Sequence, residues 1–163
     1  MAIQVGQPAP DFTLKTMGPE GMVDVKLSDN FGTSNTVLLF VPAAFSGPCT
    51  EELCGVTEDL DKYVAHGARV YGISPDTPFA QKAWADRDGI GIALLGDFNR
   101  EAIGLYGVTL EDFVGLGPGS NRAAFVIDKQ GVVRYAEITE NPLVMPNFEN
   151  LMSTLKELEE LPE

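Results

Sequence analysis

The sequence predicts an α/β fold: a mixed central sheet flanked by helices, with a β-hairpin at its N-terminal end. Three observations carry this expectation. The unbroken apolar run Thr36 to Val41 (TVLLFV) has the length of a strand covered on both faces. From there to Tyr106, strand-type and helical stretches alternate, the pattern of parallel strands joined by crossover helices. Ala123 to Asp128 and Val132 to Glu137 then flank Lys129-Gln130-Gly131, which reads as an antiparallel hairpin.

Each element has its own warrant. Asp11 to Lys15 and Val23 to Leu27 alternate around Gly18-Pro19-Glu20-Gly21, giving the first hairpin. Glu51 to Ala65 reads as one helix, with Leu53, Val56, Leu60 and Val64 spaced three and four apart, and Gly67 as its stop. Arg69 to Ser74 is the next strand. Pro78 to Arg87 reads as a helix with Phe79, Ala83 and Trp84 on one side, Trp84 being core or partly buried. Ile92 to Leu95 is a short strand, Arg100 to Tyr106 a short helix, and residues 115–121 a glycine-rich loop. Asn147 to Leu161 closes the chain as a helix whose buried stripe is Phe148, Leu151, Leu155 and Leu158. Hairpin, alternating units and second hairpin together suggest a thioredoxin-like fold.

At 163 residues the chain suits one domain, residues 1–163, with one core. Hydrophobic content of 44% and charged content of 21% are those of a soluble globular protein. A net charge of −13 opposes binding to nucleic acid or to an anionic membrane. No run is long and apolar enough to span a bilayer, and Met1 to Gly6 lacks the charged and apolar regions of an export signal. A cytoplasmic protein is therefore expected. Two cysteines are too few for a disulfide scaffold, and with His66 as the only histidine they make an incomplete metal site. The loop Gly115-Leu116-Gly117-Pro118-Gly119 lacks the G-K-[S/T] ending of a phosphate-binding loop. His66, near a helix end, reads as a terminal charge, and Glu157 to Glu160 as a solvated helix face.

The chemistry concentrates in Pro42-Ala43-Ala44-Phe45-Ser46-Gly47-Pro48-Cys49. Cys49 stands where a buried strand gives way to a helix. Free backbone N–H groups and the positive end of the helix dipole favour a thiolate there. Cys54 follows five residues later on the same predicted helix. Taken alone, a C-x4-C pair also reads as two small apolar core residues.

Pro42-x3-Ser46-x2-Cys49 resembles the peroxiredoxin active-site pattern P-x3-[T/S]-x2-C. Four more segments resemble that family in order: Pro8-Ala9-Pro10-Asp11-Phe12, Tyr71-Gly72-Ile73-Ser74 with Pro75-Asp76, Leu94-Leu95-Gly96-Asp97 leading to Leu105-Tyr106-Gly107-Val108, and Arg122-Ala123-Ala124-Phe125-Val126-Ile127-Asp128. The resemblance spans nearly the whole chain. The spacing of Cys54 is similar to the Q-type class (bacterioferritin comigratory protein). The segment from Phe40 to Gly47 and the Arg122 region look closer to the alkyl hydroperoxide reductase E class. Ser46 replaces the commoner threonine and keeps the hydroxyl.

The resemblance implies a thiol-dependent peroxidase that needs no metal or organic cofactor. The Cys49 thiolate would attack one peroxide oxygen in line with the O–O bond and become a sulfenic acid, releasing water or an alcohol. Arg122 would donate to the sulfur and to a peroxide oxygen together, Ser46 would hold the peroxide, and Pro42 would shield the thiolate. Glu52 has two readings: an orienting partner for the arginine, or a favourable charge in the first helical turn. Arg122 likewise reads as part of the site or as a surface ion pair.

Cys54 is either the resolving cysteine, which forms an intramolecular disulfide later reduced by thioredoxin or a similar dithiol, or a core residue, with an outside thiol resolving Cys49. An intact helix would hold the two Cα atoms ~8–9 Å apart, beyond the limit of about 7 Å for a disulfide. The bond therefore requires local unwinding, which Gly55 would ease. A homodimer is implied, although the Q-type class includes monomers. A general thiol–disulfide oxidoreductase would use C-x-x-C and leave Ser46 and Arg122 without a role, while a redox relay or holdase-like module would show slow turnover.

Overall fold

The computed structural model describes residues 3–160. In order the chain forms β1 (Thr13–Gly18), β2 (Gly21–Lys26), a 3-10 turn (Leu27–Asn30), β3 (Asn35–Phe40), α1 (Gly47–Glu58), α2 (Leu60–Ala65), β4 (Ala68–Ser74), α3 (Pro78–Asp88) and β5 (Ala93–Gly96). It continues with α4 (Glu101–Leu105), β6 (Thr109–Leu110), β7 (Gly119–Ser120), β8 (Ala123–Ile127), β9 (Val133–Ile138) and α5 (Phe148–Glu159). Seven strands make one mixed sheet in the order β2-β1-β5-β4-β3-β8-β9, and β6 and β7 form a separate two-residue pairing.

The apolar run lies near the middle of the sheet, and every residue of β3 is buried. Its side chains alternate between two cores, as a period of two requires. Val37 and Leu39 face Leu53, Trp84 and Leu151 of α1, α3 and α5. Leu38 and Phe40 face Ile103 of α4, Tyr106 and Phe125. β3, β4 and β5 run parallel, β8 pairs antiparallel with β3, and β9 with β8. The N-terminal hairpin joins the sheet through Lys15 opposite Gly96.

Acidic residues from the quoted segments fasten this frame. Asp97 accepts from the amides of Glu101 and Ile103 and fixes the start of α4. Asp128 accepts from Gln130 and Val132 and closes the second hairpin. The Tyr106 hydroxyl donates to the Pro10 carbonyl, tying the opening segment to the far core.

Three local expectations change. The helix expected over Glu51 to Ala65 begins earlier, at Gly47, and breaks at Asp59 into two helices. The break turns Tyr63 inward and leaves Val64 60% exposed, so Val64 is not part of the buried stripe. Gly67 does terminate the second piece, at φ +70°, a conformation that favours glycine. α3 is rotated from its expected setting: Trp84 is fully buried, but Phe79 is 67% exposed and Ala83 is exposed. Gln81 takes the inner face because its amide donates to Ser74 Oγ and the Leu95 carbonyl, satisfying a buried polar group. Ser120, read as loop, pairs with Thr109. Leu161, the expected end of the last helix, lies outside the described residues, as do Met1 and Ala2.

Candidate active site

The parallel strands β3 and β4 end at the same edge of the sheet, where loops of an α/β fold gather binding groups. The loop of residues 41–46 leaves β3 at this edge and delivers the chain into α1. Ser46 is the N-cap of α1, Pro48 occupies its first turn and Cys49 follows. Pro48 suits that position, because its missing N–H would have had no acceptor there. Cys49 is fully buried.

The loop is pinned from outside its own sequence. The Ala44 amide donates to Asp76 Oδ2 at 2.8 Å, and the same oxygen accepts from Ser74 Oγ at 2.7 Å. Trp84 Nε1 donates to Thr50 Oγ1 at 2.9 Å, and Thr50 Oγ1 donates to the Ser46 carbonyl at 2.8 Å. Phe45 sits at φ +68°, a strained setting for an aromatic residue, with the Arg87 guanidinium 4.7 Å from its ring centre. Asp76, Thr50 and Trp84 went unassigned to the site from sequence. Their partners are up to 34 residues away, and only the unexplained polar residues after β4 could have hinted at them.

Arg122 enters from β8's leading edge and is 1% exposed, so it is not a surface ion pair. Its Nη2 lies 3.4 Å from Cys49 Sγ, its Nη1 donates to Glu52 Oε1 at 3.1 Å, and its Nε donates to the Pro142 carbonyl at 2.8 Å. One planar fork thus has each side held, an arrangement a lysine could not reproduce. Glu52 lies in the second turn of α1 because the helix starts at Gly47, and it is 4% exposed. That position removes the reading of Glu52 as a solvated first-turn charge. Burial pushes its carboxyl from 4.5 up to about 7, outweighing the pull of Arg122, and Glu137 adds a smaller push.

The other expected residues are placed as follows. Pro42 is buried in the loop between β3 and α1. Ser46 is half-buried, and its hydroxyl donates to the Ala43 carbonyl at 3.1 Å rather than capping the helix. Cys54 is not brought to Cys49. Both are free, and the Cys54 thiol faces the Asp88 carbonyl at 3.4 Å, at the end of α3. Along intact α1 the two side chains point ~140° apart. His66 lies 2.6 Å from Glu159 Oε2, at the end of α5. Among the described residues, no cluster of three or more His, Cys, Asp and Glu could hold a metal ion, and no helix is long and apolar enough to cross a membrane.

A buried cysteine at a helix start, faced by a buried arginine on a mixed α/β sheet, is an arrangement that can hold a thiolate. The AhpC/TSA family model matches residues 5–136. Alkyl hydroperoxide reductase E of Mycobacterium tuberculosis is 34% identical over 140 residues, covering 85% of this chain and 87% of that protein. A chloroplastic 2-cysteine peroxiredoxin of Chattonella marina var. antiqua is 30% identical over 166 residues, covering 98% and 82%. Among solved structures, reduced Prx3 of Vibrio vulnificus in complex with hydrogen peroxide superposes with a TM-score of 0.83 at 29% identity, covering 94% of this chain and 99% of that one. Peroxidoxin BcpB of Mycobacterium tuberculosis gives 0.82 at 25% identity, covering 96% and 98%. The chain belongs to the AhpC/TSA family: it is a peroxiredoxin, a thiol-dependent peroxidase with a thioredoxin-like fold.

Proposed function

We propose that Cys49 reduces hydrogen peroxide and organic hydroperoxides through a sulfenic acid, and that Cys54 then resolves it as an intramolecular disulfide. The carrying observation is the Arg122 guanidinium, held 3.4 Å from the buried Cys49 sulfur by Glu52 and the Pro142 carbonyl. The nucleophile in this reaction is the thiolate. During attack, charge moves from sulfur to the departing oxygen, and a guanidinium already aimed at the sulfur stabilises that transfer without reorganising. Ser46, whose own proton is spent on the Ala43 carbonyl, keeps oxygen lone pairs to accept from a peroxide O–H. Pro42 limits water access to the sulfur.

Disulfide formation requires the middle of α1 to open, since Cys54 faces α3 and Cys49 faces β8. Gly55, adjacent to Cys54 on α1, lowers the cost of that opening. Thioredoxin or a similar dithiol then reduces the bond. The engagement of the Cys54 thiol with Asp88 supports a second reading, in which Cys54 stays in place and an external thiol resolves Cys49. We also propose a homodimer, supported by the exposed Phe79 and Phe98, which follow β4 and β5 at the edge of the sheet that carries the Cys49 loop.

Treating the reduced protein with one equivalent of hydrogen peroxide and weighing it, intact and after digestion, separates these readings. Loss of two hydrogens with Cys49 and Cys54 peptides linked within one chain is expected. Oxygen added to Cys49 with Cys54 free would establish the one-cysteine route, and no reaction within minutes would overturn the assignment of Cys49.

A further inference from the structure

Arg122 is one cation between two acids. Cys49 Sγ lies on one arm of the guanidinium and Glu52 Oε1 on the other, and none of the three side chains has meaningful contact with solvent. A thiolate and a carboxylate together would leave a net negative charge in this buried site, which is costly without further partners. Further partners are lacking on the Glu52 side, where Oε2 accepts no hydrogen bond from the described residues.

Among the described residues, the other groups facing Glu52 do not supply positive charge. Glu137 of β9 faces it as another acid, occupied by the Tyr135 hydroxyl and the Asn147 amide. Tyr63 of α2 is neutral, its phenol pushed up to about 12 by burial, then by Asp59 and Glu52. A groove of about 250 Å³ separates α1 from the start of α5 and is lined by Glu52, Gly55, Val56, Tyr63, Met145 and Phe148. Glu51 and Asp59 on its rim are acidic too. Glu52 forms part of the wall of this groove, and a proton it releases would leave by that side.

We propose that Glu52 is a redox-linked proton store: it carries a proton while Cys49 is a thiolate and gives it up when the sulfur is oxidised. This rests on the assignment of Cys49 as the reacting thiol. The step balances. Cys49 sulfur forms an S–O bond and loses two electrons, and the peroxide O–O bond breaks and gains them, leaving an alkoxide or hydroxide. That anion is neutralised by one proton, and Glu52 releases one, so reduced site plus peroxide becomes sulfenic acid, alcohol or water, and a Glu52 carboxylate. The net charge of the site is the same before and after, and Arg122 passes from pairing with sulfur to pairing with the carboxylate. Glu52 touches no reacting atom; it is a positioning residue that keeps the arginine's charge matched in both redox states.

The test is proton uptake during oxidation. Reduced wild type and E52Q are mixed with one equivalent of hydrogen peroxide in weak buffer with a pH indicator, at about pH 6, below the Glu52 value of about 7. Wild type should consume peroxide with almost no proton taken from the medium, and E52Q should take up about one proton per sulfur oxidised. Raising the pH past 7 should bring wild type toward the E52Q value. Equal uptake by the two proteins at about pH 6 would overturn the proposal. A second readout needs no variant: the infrared carbonyl band of a neutral carboxyl should be present in the reduced wild type and vanish on oxidation. Its persistence after oxidation would also overturn the proposal. Failure of wild type to consume peroxide, seen in the same mixing experiment, would instead show that the assignment of Cys49 had failed and would remove the proposal with it.

Discussion

Arg122 Nη2 lies 3.4 Å from Cys49 Sγ across 73 residues of chain, and both side chains are buried. The arginine is not free to swing, because Nε is fixed by the Pro142 carbonyl and Nη1 by Glu52. Its position is therefore set before peroxide arrives, which is what makes an electrostatic contribution to a transition state effective. R122A should lower the second-order rate constant for hydrogen peroxide by about 100- to 1,000-fold. R122K should recover only part of that loss, because the donors of an ammonium radiate from a single nitrogen and cannot reach three partners spread around a planar guanidinium. Stopped-flow oxidation of Cys49 gives both numbers.

The Ser46 hydroxyl donates to the Ala43 carbonyl and so can only accept from a substrate. S46A should slow oxidation by roughly 2- to 10-fold, the worth of one hydrogen bond between neutral groups. S46T should stay near wild type because it keeps the oxygen. Equal losses in the two variants would argue against the hydroxyl as the acceptor.

Resolution should be separable from oxidation. C54S should oxidise at Cys49 in a single turnover at the wild-type rate and lose turnover supported by a dithiol protein. G55A has room for its methyl, since nothing lies within 4 Å of the added atom. It should stabilise α1 by about 1 kcal/mol and slow disulfide formation about five-fold without slowing the first oxidation. Quenched-flow mass measurement of the linked peptides checks this.

Stability should carry the mark of Glu52. Its carboxyl is pushed up from 4.5 to about 7 by burial, so the folded state binds this proton more tightly than the unfolded state does. The stabilisation is complete below pH 4.5 and is lost as the pH rises through about 7. The loss is on the order of 3 kcal/mol at most. Urea midpoints measured across this range should fall with pH in wild type and fall less in E52Q.

Asp76 holds the Cys49 loop through Ala44 from the turn after β4. D76A leaves that amide and Ser74 Oγ without their acceptor, at a cost of about 1–3 kcal/mol. The rate of Cys49 oxidation should drop in the same variant, because Ala44 lies within the loop that places Ser46 and Cys49. Unchanged oxidation in a destabilised D76A would confine Asp76 to holding the fold.

The mixed sheet, its two hairpins and the place of Cys49 between a buried strand and a helix are legible in the chain, since each follows from neighbours a few residues apart: an apolar run, alternation and turn residues. The rotation of α3 and the break at Asp59 are not. Phe79 and Val64 are apolar, and only the packed structure shows that Gln81 and Tyr63 take the inner positions. Arg122 and Glu52 are legible as candidates through the family pattern, and their pairing as one of two readings of Glu52; that both are buried, with the pair facing the Cys49 sulfur, is not. The supports from Trp84 and the Pro142 carbonyl leave no pattern to read, and Asp76, legible as part of a family-like segment, gives no sign there of its contact with the Cys49 loop. Local periodicity fixes which face a residue starts on, whereas contacts between distant segments are fixed by how the layers close over the sheet. Helix geometry already keeps the two thiols apart, since five residues along an unbroken helix turn them ~140° from each other; the packing of α3 against α1 decides that Cys54 meets the Asp88 carbonyl.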